Sequence, residues 1–269
     1  MLIVASQNDP ASMNIAERLI ENYNFKETER KHCGQPVLEH DRVLLIHNDV
    51  DSVYVKDIDR EFQADSVIFV SRHSSESGQR SLTVHTTGNP SNSAELGGQP
   101  RSLAWVDPRR MKSALLMLKW KAREIGLDEY SISLEATHHG PTELHTPVMF
   151  VEIGSSQEQW KDRRAAEAVA AAAFSAATSQ APGNLSVGFG GGHYSLKHTE
   201  ADTNEDFAIG HILPKYFFDQ FSPEIVELTF KKTVGGCHTA IVDWKGIRGG
   251  QRSKLIDLLD NDQIDIVKI

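Results

Sequence analysis

His138 and His139 are consecutive, Glu135 and Glu152 flank them, and Gly154, Ser155 and Ser156 follow closely. Neutral imidazoles beside carboxylates are what zinc takes as nitrogen and oxygen ligands, and catalytic zinc keeps one position open for water. The same histidines can instead act as general bases or hydrogen-bond partners. Either role needs both imidazoles at one place. In a regular strand, adjacent side chains point to opposite faces, so the chain must already have turned. Gly140 and Pro141 directly after the pair predict that turn. His193 after Gly190, Gly191 and Gly192, and His211 after Gly210, repeat a histidine behind glycine and are expected to complete the site from other strand ends. The candidate set is therefore His138, His139, Glu135, Glu152, His193 and His211. Its spacing matches neither a His-Glu-x-x-His nor a cysteine-based zinc motif.

The elements around this set read as a strand near Leu134, a polar turn, a second strand near Met149 to Ile153, and a helix from about residue 157 to 178 rich in alanine. Ser155 and Glu158 are in capping-box register, so the Gly154–Ser156 turn would present free N–H groups to a phosphate, a carboxylate or a developing oxyanion. At the start of the chain, residues 2–5 form a strand. Asp9 and Pro10 then begin a helix reaching about Glu21. In doubly wound sheets ligands bind beyond the carboxyl ends of the strands, which is where Asn8 falls. Arg42–Ile46 and Ser66–Ser71 are near-continuous apolar runs suited to a sheet covered on both faces, and His73 leaves the end of the second.

Ser81–Thr87 alternates as a strand, and residues 88–100 read as an irregular loop. Pro108 to Gly126 is helical, with Met111, Leu115, Leu118, Ala122 and Ile125 on one face. Lys112, Lys119 and Arg123 form another stripe, which is either a phosphate-facing surface or an ordinary solvated face. Leu185–Phe189 runs as a strand into Gly190–Gly192, where missing side chains let backbone approach a ligand closely. A helix near Gln251 to Leu259 and a strand at Asp265–Ile269 end the chain.

The chain has 269 residues, 39% of them hydrophobic, and no apolar run of membrane-spanning length, so residues 1–269 are expected to form one globular domain away from membranes. The opening lacks the basic region and apolar length of a signal peptide. Cys33 and Cys237 are too few and too far apart for a disulfide framework, which fits a reducing cytoplasm. A net charge of −9 argues against holding nucleic acid by bulk electrostatics and leaves room for a local basic face. There is no Gly-x-Gly-x-x-Gly or Gly-Lys-Ser/Thr loop, so a nucleotide cofactor is not expected, and no Gly-x-Ser-x-Gly elbow of a serine hydrolase.

Taken together, Asp9–Ser12, Ser71–His73, Leu82–His85 with Gly88–Pro90, Glu135–Thr142, Val151–Ser156 with Trp160, Gly188–Tyr194, Ile209–Ile212 and Asp243–Gly246 resemble the archaeal and plant type of D-aminoacyl-tRNA deacylase. The blocks occur in order over nearly the whole chain. The resemblance implies a three-layer α/β/α fold with a mostly parallel or mixed sheet, of the phosphorylase and peptidyl-tRNA hydrolase type. It also implies Zn2+ and hydrolysis of the ester joining a D-amino acid to tRNA.

On that reading His138, His139, Glu135 and Glu152 are the expected catalytic residues, the histidines in a metal or base role and the glutamates as ligand or orienting carboxylates, and His138, His139, Glu152 and His193 are the expected metal ligands. Ser155, Ser156, Gly190, Gly191 and Gly192 are expected to hold the terminal adenosine or the oxyanion, Asn8, His73, His193, Tyr194 and His211 are further expected substrate-binding residues, and Lys112, Lys119 and Arg123 are candidates for the acceptor-stem phosphates. The protein is expected to be a monomer. The competing readings are a different hydrolase or a nucleoside-handling enzyme on a related fold, acting on a small molecule, and a non-catalytic RNA-binding module. The acidic charge and the lack of aromatic RNA-binding strands argue against the last.

Overall fold

Leu2–Ser6 (β1) is buried along its whole length because it runs through the middle of a sheet, where alternate side chains meet two different cores. Asp9 then caps α1 (Pro10–Tyr23): its Oδ1 accepts from the N–H groups of Ala11 and Ser12 at 2.8 and 3.2 Å. The computed structural model describes residues 1–76 and 78–269. The chain continues through β2 (Lys26–His32), β3 (Gln35–His40), β4 (Val43–Asn48), α2 (Ile58–Glu61), β5 (Val67–Ser74) and β6 (Ser81–His85). The short strands β7 (Gly88–Asn89) and β8 (Ser102–Leu103) precede α3 (Pro108–Glu124), which Asp107 caps. Next come β9 (Ser131–Leu134), β10 (Val148–Ser155), α4 (Gln157–Trp160), α5 (Arg163–Thr178), β11 (Asn184–Phe189) and α6 (Leu196–Asn204). The last elements are β12 (Phe207–Leu213), α7 (Pro223–Lys231), β13 (Thr239–Val242), α8 (Gly249–Asn261) and β14 (Asp265–Lys268).

The main sheet has the order β2-β3-β4-β1-β5-β10-β6-β9. Strands β4, β1, β5 and β10 run parallel, β6 is antiparallel to β10, and β9 is parallel to β6. This mixed sheet with helices is the expected α/β class. The sequence reading did not separate out a second, parallel sheet of order β12-β11-β13-β14.

The two faces of the main sheet differ. Ile68, Val70, Leu82, Val84, Leu134, Val151 and Ile153 point towards α1, α3 and α5, in a core that also takes in Ile209, Ile212 and Ile241 of the second sheet. The alanines of α5 are buried there and let α1 and α3 lie close on either side. Leu2, Val4, Ile46, Phe69 and Phe150 build the core on the opposite face, where Phe69 and Phe150 stack at 4.8 Å. Each fully buried side chain of this kind contributes about 1.5–3 kcal/mol.

Two local expectations need correction. The helix expected from 157 to 178 is interrupted: α4 ends at Trp160, and Asp162 starts α5 by accepting from Arg164 N at 2.9 Å and Ala165 N at 3.4 Å. The capping box is Ser156 with Gln159, because Ser155 still belongs to β10 and pairs with Ser74. The charged segment Lys26–His32 gave no apolar alternation to read, yet it forms the exposed outer strand of the sheet. Among the described residues no helix is long and apolar enough to cross a membrane.

Candidate active site

Strand register decides which side chains share a face. Glu152 of β10 pairs with Ser71 of β5 on one side and Thr83 of β6 on the other, and Thr83 pairs with Ser133 of β9. Two residues further along β5 and β6 stand His73 and His85. Glu135 follows β9 and keeps its place beside β6 by bonding its N–H to Val84 O at 3.1 Å. Ser71, His73, Thr83, His85, Ser133, Glu135 and Glu152 therefore line one face. It is the Phe69 and Phe150 face, opposite α1, α3 and α5.

The distances are those of a charge cluster. His73 Nδ1 lies 3.4 Å from Glu135 Oε1 and 3.5 Å from Glu152 Oε2, and His85 Nε2 lies 3.4 Å from Glu152 Oε2. Ser71 Oγ donates to Glu152 Oε1 at 2.5 Å. His193 Nε2 and His138 Nε2 approach Glu135 Oε2 at 3.4 and 3.7 Å. Burial alone would push His73 down, but the Glu152 hydrogen bond and both carboxylate charges outweigh it and lift it to about 10. His85 is raised for the same reason, and burial of Glu152 is outweighed by His73 and His85, which hold it well below the usual carboxylate range. His138 and His139 go the other way: burial and the neighbouring imidazoles lower His138 well below its ordinary value and His139 to about 4.

The turn after β9 brings the consecutive histidines together, His139 taking a left-handed φ of 43°. His85 Nδ1 meets Thr86 O at 3.1 Å, His138 Nδ1 meets Ala136 O at 2.7 Å, and His139 Nδ1 meets Gly140 O at 2.7 Å. A carbonyl only accepts, so each Nδ1 carries a proton; His138 and His139, held neutral, present Nε2 lone pairs, and His85 does the same once a cation takes the place of its Nε2 proton. Ligand atoms of His85, His138 and His139 all lie within 4.8 Å of one another. Two further groups, His73 with Glu135 and His193, and His85 with Glu135 and Glu152, meet the same limit. Among the described residues, His85 Nε2 and both Glu135 oxygens are buried without a hydrogen-bond partner.

A model of the D-aminoacyl-tRNA deacylase family matches residues 60–267. A D-aminoacyl-tRNA deacylase of Pyrococcus abyssi is 37% identical over 99% of both chains, and one of Thermococcus kodakarensis is 38% identical over 93% of both. The chain belongs to the D-aminoacyl-tRNA deacylase family. A crystal structure of a conserved protein of unknown function superposes with a TM-score of 0.90 at 31% identity, covering 99% of this chain and 94% of that one.

Within this deacylase-family chain the expected site residues divide. His73, Glu135, His138, His139, Glu152 and His193 do come together, and Tyr194 OH joins them at 2.8 Å from His73 Nε2. His211 does not. Its ring is fully buried and its two nitrogens are occupied by Thr137 Oγ1 at 3.2 Å and Ala104 O at 3.1 Å, so it ties the histidine turn to β12 rather than facing the cleft.

Ser155 is buried with its hydroxyl donating to Gln79 O, and Ser156 is exposed and bonded to Gln159. Neither lines the cleft, and α4 behind them is a four-residue helix. Gly190 and Gly191 serve the backbone: they take left-handed φ of 94° and 77°, and a Cβ on Gly190 would also stand 2.9 Å from Ile247. Gly192 leads directly into His193, whose carbonyl accepts from Ala136 N. Asn8 sits beyond β1 as expected, but its amide donates to Asp49 O at 2.7 Å.

Lys112, Lys119 and Arg123 lie on α3, on the far side of the sheet from the cluster. The Lys112 ammonium is spent on Glu205 O and Phe207 O, and Lys119 on Thr203 Oγ1, so the two lysines fasten α3 to α6 and β12, while Arg123 is exposed. His85 was passed over as a site residue. Its signal was the alternation Ser81, Thr83, His85 in a strand buried throughout.

Proposed function

We propose that this chain hydrolyses the ester bond of D-aminoacyl-tRNA, releasing the D-amino acid and tRNA, at a zinc centre formed by the histidine and glutamate cluster. Family membership and the names of the curated relatives support the reaction. The observation that carries the site is the set of His85, His138 and His139, each committing Nδ1 to a backbone carbonyl and leaving Nε2 for a common ligand. Fixing the far nitrogen in this way is how proteins orient metal-binding imidazoles. Unpartnered His85 Nε2 and Glu135 oxygens, buried among nitrogen and oxygen donors, fit zinc chemically.

His85, His138 and His139 would hold the ion, with Glu135 and Glu152 at its side and His73 and His193 completing the ring of ligands and protons. Zinc, when bound, supplies Lewis acidity and a lowered pKa for water. The chain's own residues do the rest. Glu152, anchored by the Ser71 hydroxyl and kept ionised by His73, is placed to take a proton from the attacking water. His73, its Nε2 against Tyr194 OH, holds positive charge next to the developing oxyanion. His193, a third exposed at its side chain and 3.4 Å from Glu135, is placed to return a proton to the leaving ribose hydroxyl. The ester is already activated, so no covalent nucleophile is required.

The decisive experiment incubates the purified protein with D- and L-tyrosyl-tRNA, before and after a chelator, with zinc content measured by elemental mass spectrometry. D-tyrosine release that is lost on chelation and restored by zinc is the expected result. Full turnover by metal-free protein would remove zinc from the mechanism, and equal turnover of the L-ester would remove the chirality.

A further inference from the structure

The cluster opens onto two hollows that share Leu96, His138 and His139 as a common wall. One, of about 360 Å³, is lined by Asn89, Pro90, Thr137, Tyr216 and Phe217, and the Lys or Arg side chains are absent from its described lining. The other, of about 330 Å³, lies beyond the ends of β1 and β5 and is lined by Asp51, Tyr54, Arg72 and His73. The ester carbonyl has to sit at the wall between them, so the two halves of the substrate leave in opposite directions.

We infer that the Arg72 hollow takes the terminal nucleotide and the Tyr216 hollow takes the D-amino acid side chain. This assignment rests on the deacylase reading. A 3′-terminal nucleotide brings a phosphate, a ribose and a base. Arg72 is the one Lys or Arg among the described residues lining either hollow; its guanidinium reaches Asn8 O at 3.3 Å and Asp51 at 3.9 Å, lies 5.8 Å from the centre of the Trp160 ring, and leaves the side chain 34% exposed. Tyr54, half exposed beside it, offers a ring face on which a base of any identity can stack. Asp51 can accept from ribose hydroxyls.

In the other hollow the charged side chain in the described lining is Glu95, which would repel a phosphate. Its apolar surface comes from Pro90, Leu96, Tyr216 and Phe217. That environment suits a side chain of varied size, and Tyr216, 51% exposed at its mouth, sets how much of a large one is covered.

Three variants separate the halves: Tyr216→Ala and Tyr54→Ala at exposed positions and Arg72→Gln at a half-buried one, each checked by thermal unfolding. With D-tyrosyl- and D-alanyl-tRNA, Tyr216→Ala is expected to lower the ratio of the two kcat/KM values by about 10-fold or more. Tyr216→Phe should restore that ratio. Tyr54→Ala and Arg72→Gln are expected to raise KM for both substrates alike by about 5- to 100-fold. Binding of the trinucleotide CCA, which needs no turnover, should weaken in Tyr54→Ala and Arg72→Gln and stay unchanged in Tyr216→Ala. Arg72→Gln should also lower its salt slope by about 0.7. The opposite pattern, with Tyr216→Ala weakening CCA or with Arg72→Gln shifting the amino-acid ratio, overturns the assignment. So does a ratio that none of the variants moves. Failure of the unaltered protein to release D-tyrosine would instead count against the deacylase reading, while the trinucleotide result still decides the assignment.

Discussion

Replacing His85 with glutamine tests whether the three-imidazole set is a reaction centre or a buried packing feature. His85 is fully buried, its Nε2 lies 3.4 Å from Glu152 Oε2 and 3.9 Å from Glu135 Oε2, and its ring stacks on Phe150 at 5.3 Å. Glutamine keeps an amide donor and much of the volume. It offers no Nε2 lone pair to an ion held with His138 and His139, and in the metal-free chain no positive charge to the two carboxylates. Removing one partner of a buried ion pair costs about 3–5 kcal/mol, which carried into the transition state lowers kcat/KM by about 10²- to 10⁴-fold.

Single-turnover deacylation of D-tyrosyl-tRNA with enzyme in excess measures that loss, alongside zinc content and thermal unfolding. His211→Gln is the control, because His211 is equally buried but commits both nitrogens to Thr137 and Ala104. It is expected to lower the melting temperature while keeping zinc and the rate per folded molecule. Should His85→Gln retain wild-type zinc and a rate within about threefold, the assignment of His85 to the centre is wrong.

Gly154→Ala should disturb His73 from behind: the new Cβ would stand 2.4 Å from Ser81 Oγ and 2.9 Å from His73 Cδ2, and overpacking of this kind costs about 1–3 kcal/mol. A kcat reduced about 10-fold or more is expected, and an unchanged rate would show that His73 has room to move. Lys119→Ala and Arg123→Ala, on the far side of the sheet, are expected to change KM by less than about twofold, and a clear rise would restore the basic helix to the tRNA surface. Stability should fall in mild acid. Burial holds His198 and His211 at about 4, below the 6.5 at which the unfolded rings protonate, so the unfolded chain binds more protons between those values. Each ring then withdraws on the order of 3 kcal/mol as pH drops from 6.5 towards 4. Urea unfolding at pH 7, 5.5 and 4.5 measures this slope, and a flat profile would refute it.

How far the site was legible in the sequence follows from what periodicity can carry. The histidine turn could be read because Gly140 and Pro141 sit beside two residue types that concentrate chemistry. The helix Pro108–Glu124 could be read because Met111, Leu115, Leu118 and Ala122 recur at helical spacing, and all four are buried. Amphipathicity says that one side of a helix is covered. It does not say on which side of the sheet the helix lies, and that is why Lys112, Lys119 and Arg123 were placed near a site that the sheet separates them from. His211 failed for a related reason: a histidine behind a glycine looks alike whether its nitrogens are free or already bonded. His85 was hidden in a strand whose alternation, Ser81, Thr83, His85, groups the three on one face without revealing what that face meets.

Pairing register supplies the missing step, and it also explains why the polar row exists. A sheet covered on both faces is ordinarily apolar throughout, and burying an ionised carboxylate without partners costs several kcal/mol. Glu152 is buried within β10 and Glu135 just past the end of β9, and His73 and His85 offset their charge. Had folding alone shaped this face, the compensation would be complete or the residues would be apolar. Instead both Glu135 oxygens and His85 Nε2 remain without a hydrogen-bond partner, their ion pairs being 3.4 Å or longer, while ligand atoms of His85, His138 and His139 lie within 4.8 Å of one another. Groups that cost stability in the empty fold and converge on one place are stabilised by what binds there, so a ligand that brings positive charge should raise the melting temperature of this chain as well as enable its chemistry.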